Sequence, residues 1–198
     1  MLTQFHHKTH GNQWILCILL LAGSVCAAPA ALQVCKACHD EDGSGVGRAY
    51  VPIIAGIPAV HIEEALYAYK DGARQCTVEP AMCAATKLLS DQDISELAEY
   101  YGALERYSHA ATFSEERAAH GAEIHRQLCS RCHLAPDDPD VADALGIPLH
   151  GQRADYLQYA LESYLNGNRE NLLPEMKEKV SMLDAADVRA IVDYYVSY

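Results

Sequence analysis

Two five-residue segments of the chain share one pattern: two cysteines separated by two residues, then a histidine. They are Cys35–His39 and Cys129–His133. This pattern is the attachment signal of a c-type haem, because the thiols form thioethers with the haem vinyl groups and the imidazole binds the iron. A zinc site and a redox-active dithiol are the competing interpretations. Two copies favour haem. The predicted haem-binding residues are Cys35, Cys38, His39, Cys129, Cys132 and His133.

A methionine follows each motif at the same distance. Met82 lies 43 residues after His39, and Met176 lies 43 residues after His133. An isolated methionine is usually a core residue, but the matched spacing predicts two axial ligands. A thioether ligand raises the reduction potential and closes the sixth position of the iron, which favours electron transfer over substrate binding. Met182 breaks the spacing, and we expect it in the core.

The similarity between the two halves extends beyond these ligands and predicts an internal duplication. Residues 90–101 and 184–195 match at the offset of 94 that also relates the motifs, and each begins with a helix N-cap pattern. Residues 56–74 and 151–169 match at an offset of 95, and each predicts an amphipathic helix ended by Gly. Each half therefore predicts a helix with the motif, an irregular loop, a helix, a loop carrying the methionine and a final helix.

These elements predict an all-α fold of two tandem domains. The first domain is expected over residues 28–106 and the second over residues 115–198, with a linker over residues 107–114. Domains of this size are small for an unaided fold, so we expect each haem to supply part of the core. The formal net charge of −12 excludes a nucleic-acid partner, because phosphate backbones are bound by Lys and Arg.

Residues 1–27 have the three-part layout of a signal peptide. A weakly basic start is followed by the apolar run 14–25 and then by small residues. Cleavage before Ala28 predicts export to the periplasm. The alternative is an uncleaved anchor, for which the run is short of the ~20 residues that a membrane span needs. The membrane is a partner only in that alternative.

The residues around the motifs resemble those of tandem class I cytochrome c domains of the cytochrome c4 type. The matching segments of the first half are Pro52–Gly56, Met82 and Leu89–Ile94. The second half is similar to the cytochrome subunit of flavocytochrome c sulfide dehydrogenase, and the matching segments there include Glu123–Cys129 and Pro174–Met176. In this family a proline after the motif offers its carbonyl to the proximal histidine. Pro52 has that place in the first half, whereas Ile147 has it in the second.

The resemblance implies a periplasmic di-haem cytochrome with two covalently bound haem c groups and no catalytic residues. Its function would be to transfer single electrons between redox proteins, such as an oxidase or a reductase. The alternative is the cytochrome subunit of a sulfide dehydrogenase, which accepts electrons from a flavoprotein partner. A third hypothesis is a stand-alone enzyme that uses Cys76 or Cys83.

Cys76 and Cys83 have no counterparts in the second half. We predict a disulfide that clamps the segment of Met82, because the chain is predicted to be exported. A redox-sensing dithiol beside the haem is one alternative. Ligation of the first iron by the Cys83 thiolate is another, and it would lower the potential sharply. The regular spacing of Met82 argues against it.

The other tyrosines and histidines are predicted to be packing residues rather than ligands. Tyr100, Tyr101, Tyr194 and Tyr195 are expected where the last helix of each half packs on the first. The remaining histidines are expected at the surface or behind the ligands, and they include His61, His109, His120, His125 and His150.

Overall fold

The structure is a computed structural model that describes residues 29–77, 80–109, 111–170 and 173–198. The predicted signal peptide, residues 1–27, and the start at Ala28 lie outside these residues. The described part of the chain is helical and contains no β-strand. None of its helices is long and apolar enough to cross a membrane.

The helices follow one another in the same order in the first half (residues 29–106) and the second half (residues 107–198). The described helices of the first half are α1 (Leu32–His39), α2 (Ala59–Lys70), α3 (Ala81–Thr86) and α4 (Asp91–Gly102). Those of the second half are α5 (Glu115–Ile124), α6 (Ala154–Leu165), α7 (Pro174–Val180) and α8 (Ala185–Val196). A π-helical turn at His125–Cys129 continues α5, and a 3₁₀ turn lies at Val141–Asp143.

The last helix of each half begins with the predicted cap. Ser90 and Asp184 each accept a hydrogen bond from the backbone N–H of the aspartate three residues later, and that aspartate accepts one from the cap N–H. This reciprocal arrangement satisfies amide donors that the first turn leaves free. The predicted glycine stops are also confirmed: Gly72 follows α2 with φ of 85°, and Gly167 follows α6 with φ of 80°.

Each half has its own apolar core. In the first half, α4 buries Ile94, Leu97 and Tyr101 against α2. In the second half, α8 buries Ile191 and Tyr195, and it packs on α5 and α6. Tyr101 and Tyr195 are therefore core residues, as predicted. Each is 1% exposed.

The α5–α8 crossing depends on the smallest side chain. A Cβ at Gly121 would overlap the carbonyl group of Ala190 on α8. Only a residue without a Cβ allows this approach of the two helices.

The methionine segments differ from the expected loops. Met82 lies on α3 and Met176 on α7. Pro174 starts α7 at the position where its fixed φ and missing N–H favour a helix. The prediction that Met182 is a core residue was wrong, because its side chain is 55% exposed. Its neighbour Leu183 takes the buried place before α8 instead.

Candidate functional site

A cavity of about 340 Å³ is lined by all four of the residues predicted to bind the first haem. Cys35, Cys38 and His39 reach it from α1, and Met82 reaches it from α3. Most of the other lining side chains are apolar, and they include Ile54, Ile57, Ile62, Leu66, Leu89 and Leu97. An apolar cavity with a few convergent polar side chains suits a large apolar cofactor.

His39 is oriented by the backbone. Its Nδ1 lies 3.2 Å from the carbonyl oxygen of Pro52, and it must donate the hydrogen, since a carbonyl only accepts. This tautomer leaves the lone pair on Nε2. Burial lowers the pKa of His39 to about 4, so the imidazole is neutral at neutral pH. A neutral imidazole held through its other nitrogen is the form that binds a metal.

The motif cysteines keep their thiols. Cys35, Cys38, Cys129 and Cys132 form no disulfides. Burial, and then the neighbouring Cys38, raises the pKa of Cys35 to about 11. Among the described residues, no three His, Cys, Asp or Glu side chains converge to hold a metal ion.

The predicted disulfide is present between Cys76 and Cys83. Because both sulfurs are bonded to each other, neither the sensing dithiol nor the Cys83 thiolate ligand exists in this structure. Cys83 directly follows Met82 on α3, and its backbone N–H lies 3.2 Å from the Cys76 sulfur. The disulfide therefore ties the methionine segment to the turn after α2.

The second set of predicted residues is placed by separate contacts. The Nδ1 of His133 donates to the carbonyl oxygen of Ile147 at 2.7 Å, so Ile147 fills the carbonyl role of the family's proline. Burial lowers the pKa of His133. Burial raises the pKa of the Cys129 thiol, and the neighbouring Tyr195 hydroxyl acts in the opposite direction. Met176 is half-buried on α7, and its role as partner of His133 stays a prediction.

Three of the histidines expected at the surface or behind the ligands are buried. His125 and His150 are 8% and 1% exposed, and their rings pack edge-to-face against each other and against Tyr195. The Nδ1 of His125 lies 3.0 Å from the Tyr195 hydroxyl. His61 is buried between the halves, where its Nε2 donates to the carbonyl oxygen of Ala144 at 3.1 Å.

The second half contributes to the cavity of the first. Four of its side chains lie in the cavity wall: Ile147, Gln152, Tyr156 and Tyr159. The sequence had marked Ile147 only as the residue in the place of the family's proline, and it assigned none of these four side chains to the wall of the first cavity. Motif spacing does not reveal which face of one half covers the other, so these residues were missed.

Two arginines give the cavity a positive side. Arg48 and Arg74 line it, and Arg74 pairs through an isolated bridge with Arg169, which is 5% exposed. The ion pairs of the described residues include Arg48 with Asp40 but none at Arg74 or Arg169. The buried Arg169 does not line the cavity, and it lies over the rings of Tyr156 and Tyr164 and donates to the Tyr69 hydroxyl. A haem carries two carboxylates, so the half-buried guanidinium of Arg74 in the cavity wall fits the group that the motifs predict.

Comparisons with known proteins relate the chain to cytochromes. Residues 116–194 match the family "Cytochrome C oxidase, cbb3-type, subunit III". The "Thiosulfate dehydrogenase electron acceptor" of Thiomonas intermedia is 31% identical over 152 residues, which cover 72% of this chain and 68% of the relative. Cytochrome c4 of Pseudomonas aeruginosa is 28% identical over 183 residues, which cover 86% of this chain and 88% of the relative.

A solved structure agrees with these sequence matches. Cytochrome c4 of Acidithiobacillus ferrooxidans superimposes with a TM-score of 0.67 and 25% identity, over 84% of this chain and 99% of that chain. The superimposed part is 84% of the chain, so the likeness extends over both halves.

Proposed function

The chain belongs to the di-haem c-type cytochromes of the cytochrome c4 type, and we propose that it carries single electrons between redox proteins in the periplasm. It binds two haem c groups and works as an electron-transfer protein. One observation carries the ligand assignment that we propose: Cys35, Cys38, His39 and Met82 line a single apolar cavity.

In the first centre, Cys35 and Cys38 would hold the haem covalently, and His39 and Met82 would be its axial ligands. The haem supplies an iron that changes oxidation state by one electron. The Pro52 carbonyl orients His39, the apolar wall excludes water, and Arg74 would offer a positive charge to a haem carboxylate. A haem held by both His39 and Met82 would favour electron transfer over substrate turnover.

In the second centre, Cys129, Cys132, His133 and Met176 would have the same roles. The 43-residue spacing from histidine to methionine supports this assignment, as does the equivalent position of α3 and α7 in the order of helices. We therefore propose two domains related by duplication, over residues 28–106 and 115–198. Residues 107–114 would link them.

The chemistry of the cysteines supports the location that we propose. We propose that residues 1–27 are a cleaved signal peptide. The disulfide between Cys76 and Cys83 supports export, since disulfides persist in oxidising compartments.

We propose that the electron donor is a dehydrogenase of a reduced sulfur compound. A relative that matches both halves is named as the electron acceptor of thiosulfate dehydrogenase, which favours that enzyme as donor. The second candidate is the flavoprotein of a sulfide dehydrogenase, because Glu123–Cys129 and Pro174–Met176 resemble its cytochrome subunit.

Purification of the native protein under gentle conditions tests these assignments. A free carrier has the mass of one chain with two haems, and purified thiosulfate dehydrogenase reduces it in the presence of thiosulfate. Stoichiometric flavin with a second chain would instead identify a sulfide dehydrogenase subunit. A spectrum without two six-coordinate haems would overturn the proposal.

A further inference from the structure

Ile147 belongs to the second half in sequence and to the first centre in space. Its side chain lies in the wall of the first cavity, together with His39 and Met82. It also packs against the apolar core of the first half. This residue stands where the family has a proline, so the sequence had marked it as a departure without giving it a role.

The backbone of the same residue holds the second centre. The Ile147 carbonyl accepts the 2.7 Å hydrogen bond from His133. The preceding residue, Gly146, lies close to the His133 ring, because a Cβ added to it would come within 2.7 Å of Nδ1. The position of Ile147 therefore determines where the proximal imidazole points.

Hydrogen bonds from the first half hold this segment on both sides. His61 donates to the Ala144 carbonyl at 3.1 Å. Arg106 donates to the carbonyls of Pro148 and His150, at 3.3 and 2.6 Å. Ile147 lies between these contacts, so the first half holds the segment that supports His133.

We propose that Ile147 is a positioning residue shared by the two haem centres. Its side chain keeps water from the first centre, and its carbonyl orients the proximal ligand of the second. A single residue then connects the two sites: its side chain lies in the wall of the first cavity, and its carbonyl accepts the hydrogen bond from His133. This inference rests on the proposed function, since it needs both haems in place.

Truncation of the side chain should therefore affect both centres. In Ile147→Ala the first cavity loses apolar wall, and a wetter site favours the more highly charged ferric iron. We expect the oxidised-to-reduced ratio of the first centre at fixed potential to rise up to about tenfold, which is ~59 mV for one electron. Without the side-chain packing, the backbone carbonyl of residue 147 is held less firmly against His133. The chemical shift of the His133 Nδ1–H in the NMR spectrum should therefore change.

The experiment is a redox titration and a proton NMR spectrum of the holoprotein in matched variants. Ile147→Val should leave the potential of the first centre and the His133 Nδ1–H resonance close to those of the unmodified protein, because valine keeps most of the apolar wall. Leu145→Ala is the control, since Leu145 is in the same segment and 71% exposed. A Met82→His variant assigns the couples, because loss of the thioether lowers the potential of the first centre only.

Changes at both centres in Ile147→Ala, with neither in Leu145→Ala, support the proposal. A change at only one centre, or at neither, overturns it. Failure of the proposed function is distinguishable from failure of this inference, because it would already be seen in the unmodified protein as the absence of two haem couples with methionine ligands.

Discussion

Gln152 of the second half pairs with the backbone of Ile53 in the first through two hydrogen bonds. Its side-chain oxygen accepts from the Ile53 N–H, and its side-chain nitrogen donates to the Ile53 carbonyl, each at 2.8 Å. Gln152 is 4% exposed, and it lines the first cavity. The contact therefore joins the halves beside the proposed first haem.

Loss of this pair should destabilise the protein. Gln152→Leu keeps the volume but leaves the buried N–H and C=O of Ile53 without their partner. We expect the free energy of unfolding to fall by about 2 to 6 kcal/mol, since two buried groups lose their partner and each costs about 1–3 kcal/mol. Denaturant unfolding of the holoprotein measures this loss. Gln158→Leu on the exposed side of α6 is the control, and an equal loss there would contradict the prediction.

The two methionines of the second half should behave in opposite ways. Met176→Ala removes the proposed sixth ligand, so the ferrous protein should bind carbon monoxide at one centre, and the potential of that centre should fall. Met182→Ala should change neither property, because Met182 is an exposed side chain on the turn before α8. Optical titration with carbon monoxide distinguishes them. Binding after Met182→Ala but not after Met176→Ala would reverse the assignment.

Local patterns predicted the helices well because the forces that set them are local. The caps at Ser90 and Asp184 depend on contacts between residues three positions apart, and the glycine stops depend on one residue's φ. The carbonyl role of Ile147 also followed from its place after the second motif. In each case neighbouring residues in the sequence contain the physical cause.

The contacts between the halves did not follow from the sequence in the same way. His61 and Gln152 are buried because the other half covers them, and no spacing within one half encodes that. Met182 was expected in the core because it breaks the methionine spacing and lies where a helix begins, but Leu183 beside it is the buried residue. The sequence predicted which side chains would hold a haem, whereas the shared wall between the halves required the structure.

The disulfide should protect the methionine segment of the first centre. Cys76 and Cys83 are seven residues apart, and closing a loop of that size corresponds to about 2 to 3 kcal/mol of stability. In a Cys76→Ser, Cys83→Ser variant α3 should loosen, so the ferrous first centre should bind carbon monoxide more readily. The second centre has no such disulfide, and it is the internal control. The prediction would be contradicted if the first centre of the variant bound carbon monoxide no more readily than the first centre of the unmodified protein.

The stability of the second half should depend on pH through its buried histidines. Burial, and then the positive charge of neighbouring groups, lowers the pKa of both His125 and His150 to about 4. In the unfolded chain a histidine titrates near ~6.5. Between these values the unfolded chain binds protons that the folded chain does not. Stability is therefore complete above about pH 6.5, falls as the pH decreases, and levels off below about 4.

His150→Phe tests this dependence, because it keeps an aromatic ring among Tyr194, Tyr195 and Tyr198 but removes the titration. We expect its free energy of unfolding to vary less with pH than that of the unmodified protein, since one of the two buried imidazoles is gone. Denaturant unfolding at a series of pH values between neutral and acid measures the slope. His120→Gln is the control, because His120 lies on the exposed side of α5. The same slope in His150→Phe and in the unmodified protein would show that His150 does not bind the proton on unfolding.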